Sequence, residues 1–310
     1  MDSDSKIYVA GHRGLSGSAL IDSLRKEGYN NIVTKTKNEL DLRNQKEVKD
    51  FFEYEKIEYV FDCAAKVGGI HANSTYPAEF IYDNLMIQTN LIHSAYESKV
   101  KKFLFLGSVC IYPKFAPLPI VEDCLLTGFL EPTNEAYAVA KIAGIKMCQA
   151  YKKQYGFNAI SLMPTNLYGP GDNYHPENSH VMAAMIRRFH DAKVNSQEQV
   201  YCWGDGSSKR EFLYSYDLAS ACIMAMKNYE DTEIMNVSTG KEYTIKEVAE
   251  TVSKIIGYEG EIFWDTSKPN GTIKRPLYIQ KIKDLGWSSS IELEEGVDKA
   301  YSDFLKIYSK

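Results

Sequence analysis

Four side chains near the middle of the chain could together handle a carbonyl. Ser108 lies in the stretch GSVCIYP, just after the apolar run KFLFL, and Cys110 follows two positions later. Tyr137 and Lys141 lie in EAYAVAKIAG, four residues apart, a spacing that puts both on one face of a helix. A tyrosine can protonate an alkoxide as hydride reaches a carbonyl carbon. A neighbouring ammonium lowers the phenol pKa and can also bond a nicotinamide ribose. A serine hydroxyl can bond the carbonyl oxygen and fix its direction. Cys110 reads equally as a small buried hydrophobe or as a thiol that exchanges protons. YxxxK alone arises by chance; what gives it weight is a serine 29 residues before the tyrosine and a glycine-rich turn near the start of the chain.

That turn is GHRGLSG, with Gly11, Gly14 and Gly17 framing His12, Arg13 and Leu15, directly after the apolar run KIYVA. A tight turn, close backbone approach to a pyrophosphate and close packing of helix on strand all ask for glycine there. The following helix N-terminus faces the negative charge. An NAD site usually ends its second strand in an acidic residue that bonds the ribose diol. Here that region reads TKTK, and Lys35 with Arg13 could instead surround a 2′-phosphate. This favours NADPH over NADH and leaves dual use open. Asp41 and Leu42 follow and border the adenine in this reading.

These groups need a scaffold that brings loop residues to one edge. Strands are expected at KIYVA (6–10), NIVTK (31–35), YVFDCAA (59–65), KFLFLGS (102–108) and NAISLMPTNL (158–167). Helical patterns lie between them, at 18–28, 45–54, 83–98 and 134–155. Near-continuous apolar strands alternating with helices predict an α/β fold, a Rossmann-like doubly wound parallel sheet with ligands at the strand C-termini. After Asn166 the rhythm changes. YGPGDNYHPENSH is turn-rich, VMAAMIRRFHDAK and TIKEVAETVSKIIG read as helices, and QVYCW and EIMNVS as strands. The expectation is a cofactor domain over residues 1–165 and a smaller, sequence-interleaved C-terminal substrate lobe over 166–310, some of whose segments return to the large domain.

Composition narrows the class. The 310 residues are 44% hydrophobic and 25% charged, with a net charge of −5, which suits a soluble globular protein and not a nucleic-acid binder. Nothing near the N-terminus reads as a signal peptide, and no apolar stretch is long enough for a bilayer. Six scattered cysteines read as reduced thiols, so a cytoplasmic location is expected and the N-x-S/T triplets at Asn73, Asn236 and Asn270 carry no glycan. The histidines show no metal-ligand spacing, so no metal is expected.

These features resemble the extended short-chain dehydrogenase/reductase family. The stretches that carry the resemblance are GHRGLSGSA (11–19), AAKVGGI (64–70), LGSVCIYP (106–113), NEAYAVAKIAG (134–144), PTNLYGPGDN (164–173), SHV (179–181), WGDGSSKREFLY (203–214) and LGW (285–287). They span nearly the whole chain. AAKVGG and the pair Cys110/His180 separate this branch from ordinary sugar-nucleotide 4-epimerases. The resemblance implies NADPH/NADP+ as cofactor and GDP-4-keto-6-deoxy-D-mannose as substrate, epimerised at C3 and C5 and then reduced at C4. It also implies a homodimer, for which the helices at 83–98 and 134–155 could pair across a twofold axis; packing against the chain's own sheet explains their apolar stripes as well.

Residue by residue, the resemblance makes Ser108, Tyr137 and Lys141 the carbonyl-handling set, and Cys110 and His180 the acid/base partners of epimerisation. A ketone at C4 acidifies the protons on C3 and C5. A thiol of pKa about 8.5 and an imidazole of about 6.5 can both exchange protons near neutrality. Ala64, Ala65, Pro164, Asn166 and Leu167 would touch the cofactor beside the glycine turn. Val109, Val181, Arg188, Trp203 and Arg210 would hold the nucleotide sugar, with Asn166 either on the hexose or bonding loop backbone. Arg187 competes with Arg188 for the inward direction, and Trp203 either covers guanine or packs the lobe. Tyr278, after the run Lys274–Arg275, stands where the family commonly has an acid, so nucleotide contacts there transfer with reserve. A related GDP-hexose 4-reductase or an NAD-dependent nucleotide-sugar 4-epimerase would share much of this set, as would a ligand-sensing protein without catalysis.

Overall fold

The strand Ile7–Ala10 (β1) is buried at every position, as a strand covered on both faces must be. In the computed structural model, which describes residues 1–176, 178–268 and 275–308, β1 lies inside a parallel sheet. The chain continues through α1 (Leu15–Lys26), β2 (Ile32–Val33), α2 (Gln45–Glu55), β3 (Tyr59–Asp62), α3 (Ile70–Thr75), α4 (Pro77–Glu97) and β4 (Lys102–Leu106). A long loop with single 3-10 turns leads to α5 (Glu135–Tyr155) and β5 (Ala159–Pro164). These strands line up in the order β2-β1-β3-β4-β5, every pair parallel. Strand order reverses beside β1, so the loops after β1 and β3 diverge and open a crevice there.

The second half builds β6 (Asn166–Tyr168), α6 (Val181–Val194), β7 (Gln199–Trp203), β8 (Lys209–Tyr214) and α7 (Ser215–Asn228). β9 (Met235–Val237) then joins the large sheet next to β5. β10 (Glu242–Thr244), α8 (Ile245–Ile256), β11 (Glu261–Asp265), α9 (Gln280–Asp284) and α10 (Leu293–Tyr308) complete the described chain. β10-β8-β6 form a small sheet and β11 pairs with β7. Two apolar cores result. One lies around the large sheet, and one joins α6, α8 and α10 around Phe189, Val248 and Phe304.

Local chemistry sets the boundaries. Asn44 caps α2 by accepting from the Lys46 and Glu47 amides, and Thr244 with Glu247 forms a capping box on α8. Gly156 and Gly257 end α5 and α8 in the left-handed conformation. α1 differs: Gly14 precedes it without any side-chain cap, so its first amides stay open to a ligand.

Three expectations need correction. The stretch 158–167 is two strands in different sheets, because the chain leaves β5 at Pro164 and Asn166 pairs with Phe212 of β8. The second strand is only Ile32–Val33, so Lys35 lies in the loop beyond it. The third stops at Asp62, before the Ala64–Ala65 turn. Among the described residues no helix is long and apolar enough to cross a membrane.

Gly17 packs under the turn, where an added Cβ would be driven into the Gly11 carbonyl. Gly17→Ala should therefore destabilise the protein by about 3 kcal/mol, the upper range for overpacking. Thermal melting checks this; an unchanged Tm would contradict the close approach.

Candidate active site

The crevice beside β1 is a cavity of about 890 Å³. Its floor is the glycine turn. Gly11 has φ +74°, and a Cβ there would stand 2.7 Å from the Cys63 carbonyl. Gly14 donates to the Gly11 carbonyl at 3.0 Å, which closes the turn at the start of α1. The result is a narrow backbone cradle under uncapped helix amides, which fits a pyrophosphate. Arg13, Leu15, Lys35, Asp41 and Leu42 line one end of the cavity, and Ala64 and Ala65 its side. Ser108, Val109, Tyr137, Pro164, Asn166, Leu167, His180 and Val181 line the other end. His12, expected to touch the cofactor, does not line the cavity, and burial and Arg13 push its imidazole pKa down.

Ser108, Tyr137 and Lys141, the set expected to handle a carbonyl, sit together where β4 ends. Ser108 precedes a 3-10 turn at Val109–Ile111, and its Oγ accepts from the Cys110 amide at 3.4 Å. The Tyr137 hydroxyl is hydrogen-bonded to Ser108, yet burial and the nearby Cys110 raise its pKa. Lys141 is 3% exposed and donates to the Leu106 carbonyl at 2.8 Å. Its Nζ lies 4.6 Å from the Phe105 ring centroid and 5.9 Å from that of Tyr137. Burial pulls the Lys141 pKa down, and the Asp62 carboxylate is the main force opposing this. Asp62 is itself buried and pushed up to about 6; Lys141 and the Ala64 amide only partly offset the desolvation.

The expected lowering of the Tyr137 pKa is thus not found, because the ammonium is bonded to main chain and the phenol is dry. Cys110 departs in the same direction. Burial pushes its thiol up to about 11 against the Ser108 hydrogen bond, Lys141 and Arg275. His180, which begins α6, has its pKa lowered by desolvation. At rest the pair is therefore a protonated thiol and a neutral imidazole.

Other residues lie apart from this cavity. Gly17, Cys110 and Lys141 support its wall from behind; they do not line it. Arg188 donates to the Tyr201 carbonyl, Arg187 to the Tyr174 carbonyl, and Trp203 is 65% exposed beneath the Lys268 ammonium. Arg210 faces Arg275, and burial together with this like charge lowers its pKa. Arg275 donates to the carbonyls of Tyr112 and Pro113, at the end of the GSVCIYP stretch. The Tyr278 side chain is exposed, while its backbone amide donates to Ile120. Lys274 and Asn270 lie outside the described residues. Asn166 lines the cavity and also donates to the Glu211 carbonyl of β8, a backbone bond to a strand where one to a loop was expected.

Sequence reasoning missed a charged rim. Arg43 grips Asp41 at 2.7 Å and Asp83 at 3.1 Å, and Lys66 joins Asp83 at 3.4 Å. Asp41 is held down to about 2, mainly by the Arg43 hydrogen bonds, so its carboxylate is already committed when it borders the cavity. The signal was present in the DLR triplet, but Asp83 is distant in sequence. Glu39 also lies near Arg13 and Lys35, with its carboxylate bonded by the Thr36 amide and hydroxyl.

The chain resembles known proteins along nearly its whole length. The model of the NAD dependent epimerase/dehydratase family matches residues 7–238. GDP-L-fucose synthase 1 of Arabidopsis thaliana is 57% identical over 305 residues, spanning 98% of this chain and 94% of that protein. GDP-L-fucose synthase of Escherichia coli K12 is 49% identical over 313 residues, 98% of each chain. Among solved structures, a Campylobacter jejuni GDP-mannoheptose C4 reductase with NADP bound superposes with a TM-score of 0.90 at 41% identity, over 98% of this chain and 99% of that one.

A thiol at about 11 has roughly a few hundredfold less thiolate at pH 7.5 than a free cysteine. Iodoacetamide labelling of Cys110, followed by peptide mass spectrometry, should be correspondingly slow and should climb steadily up to about pH 11. Labelling at the free-thiol rate at neutral pH would contradict the buried setting.

Proposed function

The chain belongs to the NAD dependent epimerase/dehydratase family, and from that premise we propose that it converts GDP-4-keto-6-deoxy-D-mannose to GDP-L-fucose with NADPH. The observation that carries the proposal is the convergence of Ser108, Tyr137 and His180 on one cavity, with Cys110 bonded to Ser108 beside it. A reductase alone needs the first two; two further proton-exchanging groups suit inversion of carbons next to a ketone.

NADPH supplies the hydride to C4 when bound; Gly11, Gly14 and the open α1 amides would hold its pyrophosphate, and Arg13 and Lys35 its 2′-phosphate. Ser108 orients the C4 oxygen. Cys110 and His180 remove and return protons at C3 and C5 while Ser108 and Tyr137 stabilise the enolate oxygen. With the thiol protonated and the imidazole neutral at rest, the pair takes one proton and returns one at each carbon, and the positive charges of Lys141 and Arg275 favour the thiolate whenever Cys110 gives up its proton. Tyr137 then gives its proton to the C4 alkoxide. Its raised pKa keeps that proton in place until charge develops. Lys141, fixed on Leu106, would bond the cofactor ribose.

In this reading residues 1–165 mainly bind cofactor and 166–310 mainly bind nucleotide sugar, with Arg188, Trp203 and Arg210 on the GDP side. The protein acts in the cytoplasm as a homodimer. The outer faces of α4 and α5, which expose Tyr82 and Val139, meet a second copy while their inner faces pack on each other through Gln88 and Ala140. Likeness to a C4 reductase supports a second reading, reduction without epimerisation.

Product NMR after incubation with the ketosugar and NADPH separates the two readings, since C4 reduction alone gives a D-configured sugar. Without NADPH consumption the proposal fails outright. Cys110→Ser should slow deuterium uptake at C3 and C5 from heavy water by roughly a hundredfold, within the range of general acid–base contributions, and leave cofactor affinity unchanged. Arg13→Ala should weaken NADPH binding at least tenfold, the loss of about 1.4 kcal/mol, with little effect on NADH. Fluorescence titration reads both; equal losses would remove Arg13 from the 2′-phosphate.

A further inference from the structure

The loop Lys66–Gly69 runs between α3 and the segment that leads into α6. Asn73, on α3, is 8% exposed and directs its Nδ2 at two carbonyls of that loop, Gly68 at 2.7 Å and Gly69 at 3.1 Å. Its backbone amide adds a third bond, to Gly69, at 3.1 Å. The far side of the loop meets the α6 approach. The Gly69 amide donates to the Asn178 carbonyl at 3.3 Å, and a Cβ on Gly69 would stand 3.0 Å from the Ser179 carbonyl. The next residue is His180. Its carbonyl accepts from Ala184 at 2.8 Å, but its side chain does not cap α6, so the backbone before it sets where the imidazole stands.

We propose that Asn73 is a positioning residue for His180, acting through Gly68 and Gly69, and that it thereby favours epimerisation before reduction. The proposal rests on the role given to His180 above. Both partners of the Asn73 side chain are carbonyl oxygens, so only a donor serves, and an amide supplies two N–H groups at once. The Asn73 Oδ1 is buried with no partner among the described residues. That loss is tolerated where the amide must face the loop. Glycine at 69 allows the close approach to Ser179 that passes the constraint on. Asn73 itself lines the cavity, but its side-chain amide is bonded to the loop carbonyls of Gly68 and Gly69, so in this scheme it acts on the sugar through His180.

The test uses Asn73→Asp, which sets a carboxylate against two carbonyl oxygens, and Gly69→Ala, which presses on Ser179 from the other side of the same contact. Each full-length variant is incubated with GDP-4-keto-6-deoxy-D-mannose in heavy water, and deuterium at C3 and C5 is followed by NMR. NADPH affinity is measured by fluorescence. In both variants exchange should fall at least tenfold while the Kd for NADPH stays within twofold. With NADPH added, the share of C4-reduced, unepimerised product should rise. Exchange within twofold of wild type in both variants overturns the proposal. So does a parallel loss of exchange and NADPH affinity in both, which marks a merely structural contact. Wild-type protein that exchanges neither proton defeats the functional reading itself.

Discussion

Lys141 holds an ammonium in the protein interior, and the arrangement around it depends on how that charge is accommodated. One N–H goes to the Leu106 carbonyl at 2.8 Å, the aromatic face of Phe105 lies beneath, and Asp62 supplies the opposing charge from the end of β3. A lone buried ammonium would lose its proton. Here two strands oppose that loss around a lysine carried on α5, β3 through Asp62 and β4 through both Leu106 and Phe105. Because Asp62 and Phe105 are paired in the parallel register, both side chains reach the same face of the sheet. A one-residue slip between β3 and β4 would turn Asp62 to the other face and strand the charge. The register of the sheet and the electrostatics of the site are thus one constraint.

The same dryness shapes the neighbouring groups. Tyr137 and Cys110 keep their protons more tightly than free side chains do, and His180 binds one less readily. The resting site carries few net charges besides Lys141, so a sugar ketone can enter without displacing ion pairs. Charge appears only as chemistry proceeds, when a pre-set hydroxyl, ammonium and guanidinium stabilise it most. The cavity's charged rim works differently. Asp41, Arg43, Asp83 and Lys66 are mutually neutralised, which leaves Arg13, Lys35 and Lys37 on the wall beside the glycine turn, with the Glu39 carboxylate near the first two.

Much of this was legible in the sequence because local rules govern it. The glycine turn follows from backbone sterics, Tyr137 and Lys141 from helical spacing, and the parallel sheet from unbroken apolar strands. Other features depend on partners distant in the chain. The break at Thr165 could not be seen because β5 and β6 share one continuous β-like pattern, and only Phe212 of β8 reveals the change of sheet. β10 and β11 are short and half-exposed, so their apolar pattern is faint. Asn73 looked like an idle sequon; its value comes from two carbonyls preceding it and a segment about a hundred residues later. The thiol pKa of Cys110 is a property of burial, which spacing does not encode.

β9 has a consequence for how the molecule is made. The large sheet gains its last strand from residues 235–237, after the chain has already traced β6, α6, β7, β8 and α7. During synthesis, β5 therefore leaves the ribosome with an open edge that stays unpaired while about seventy more residues are added, several seconds at ordinary elongation rates. An unpaired parallel edge is a template for wrong partners. Pro164 closes β5 with its nitrogen on the β4 side, since Leu162 accepts from Gly107 there and the Thr165 amide is the one that bonds Val237. The edge that waits for β9 therefore keeps its amides, and what limits it is its length, because the chain turns away at Thr165 into β6.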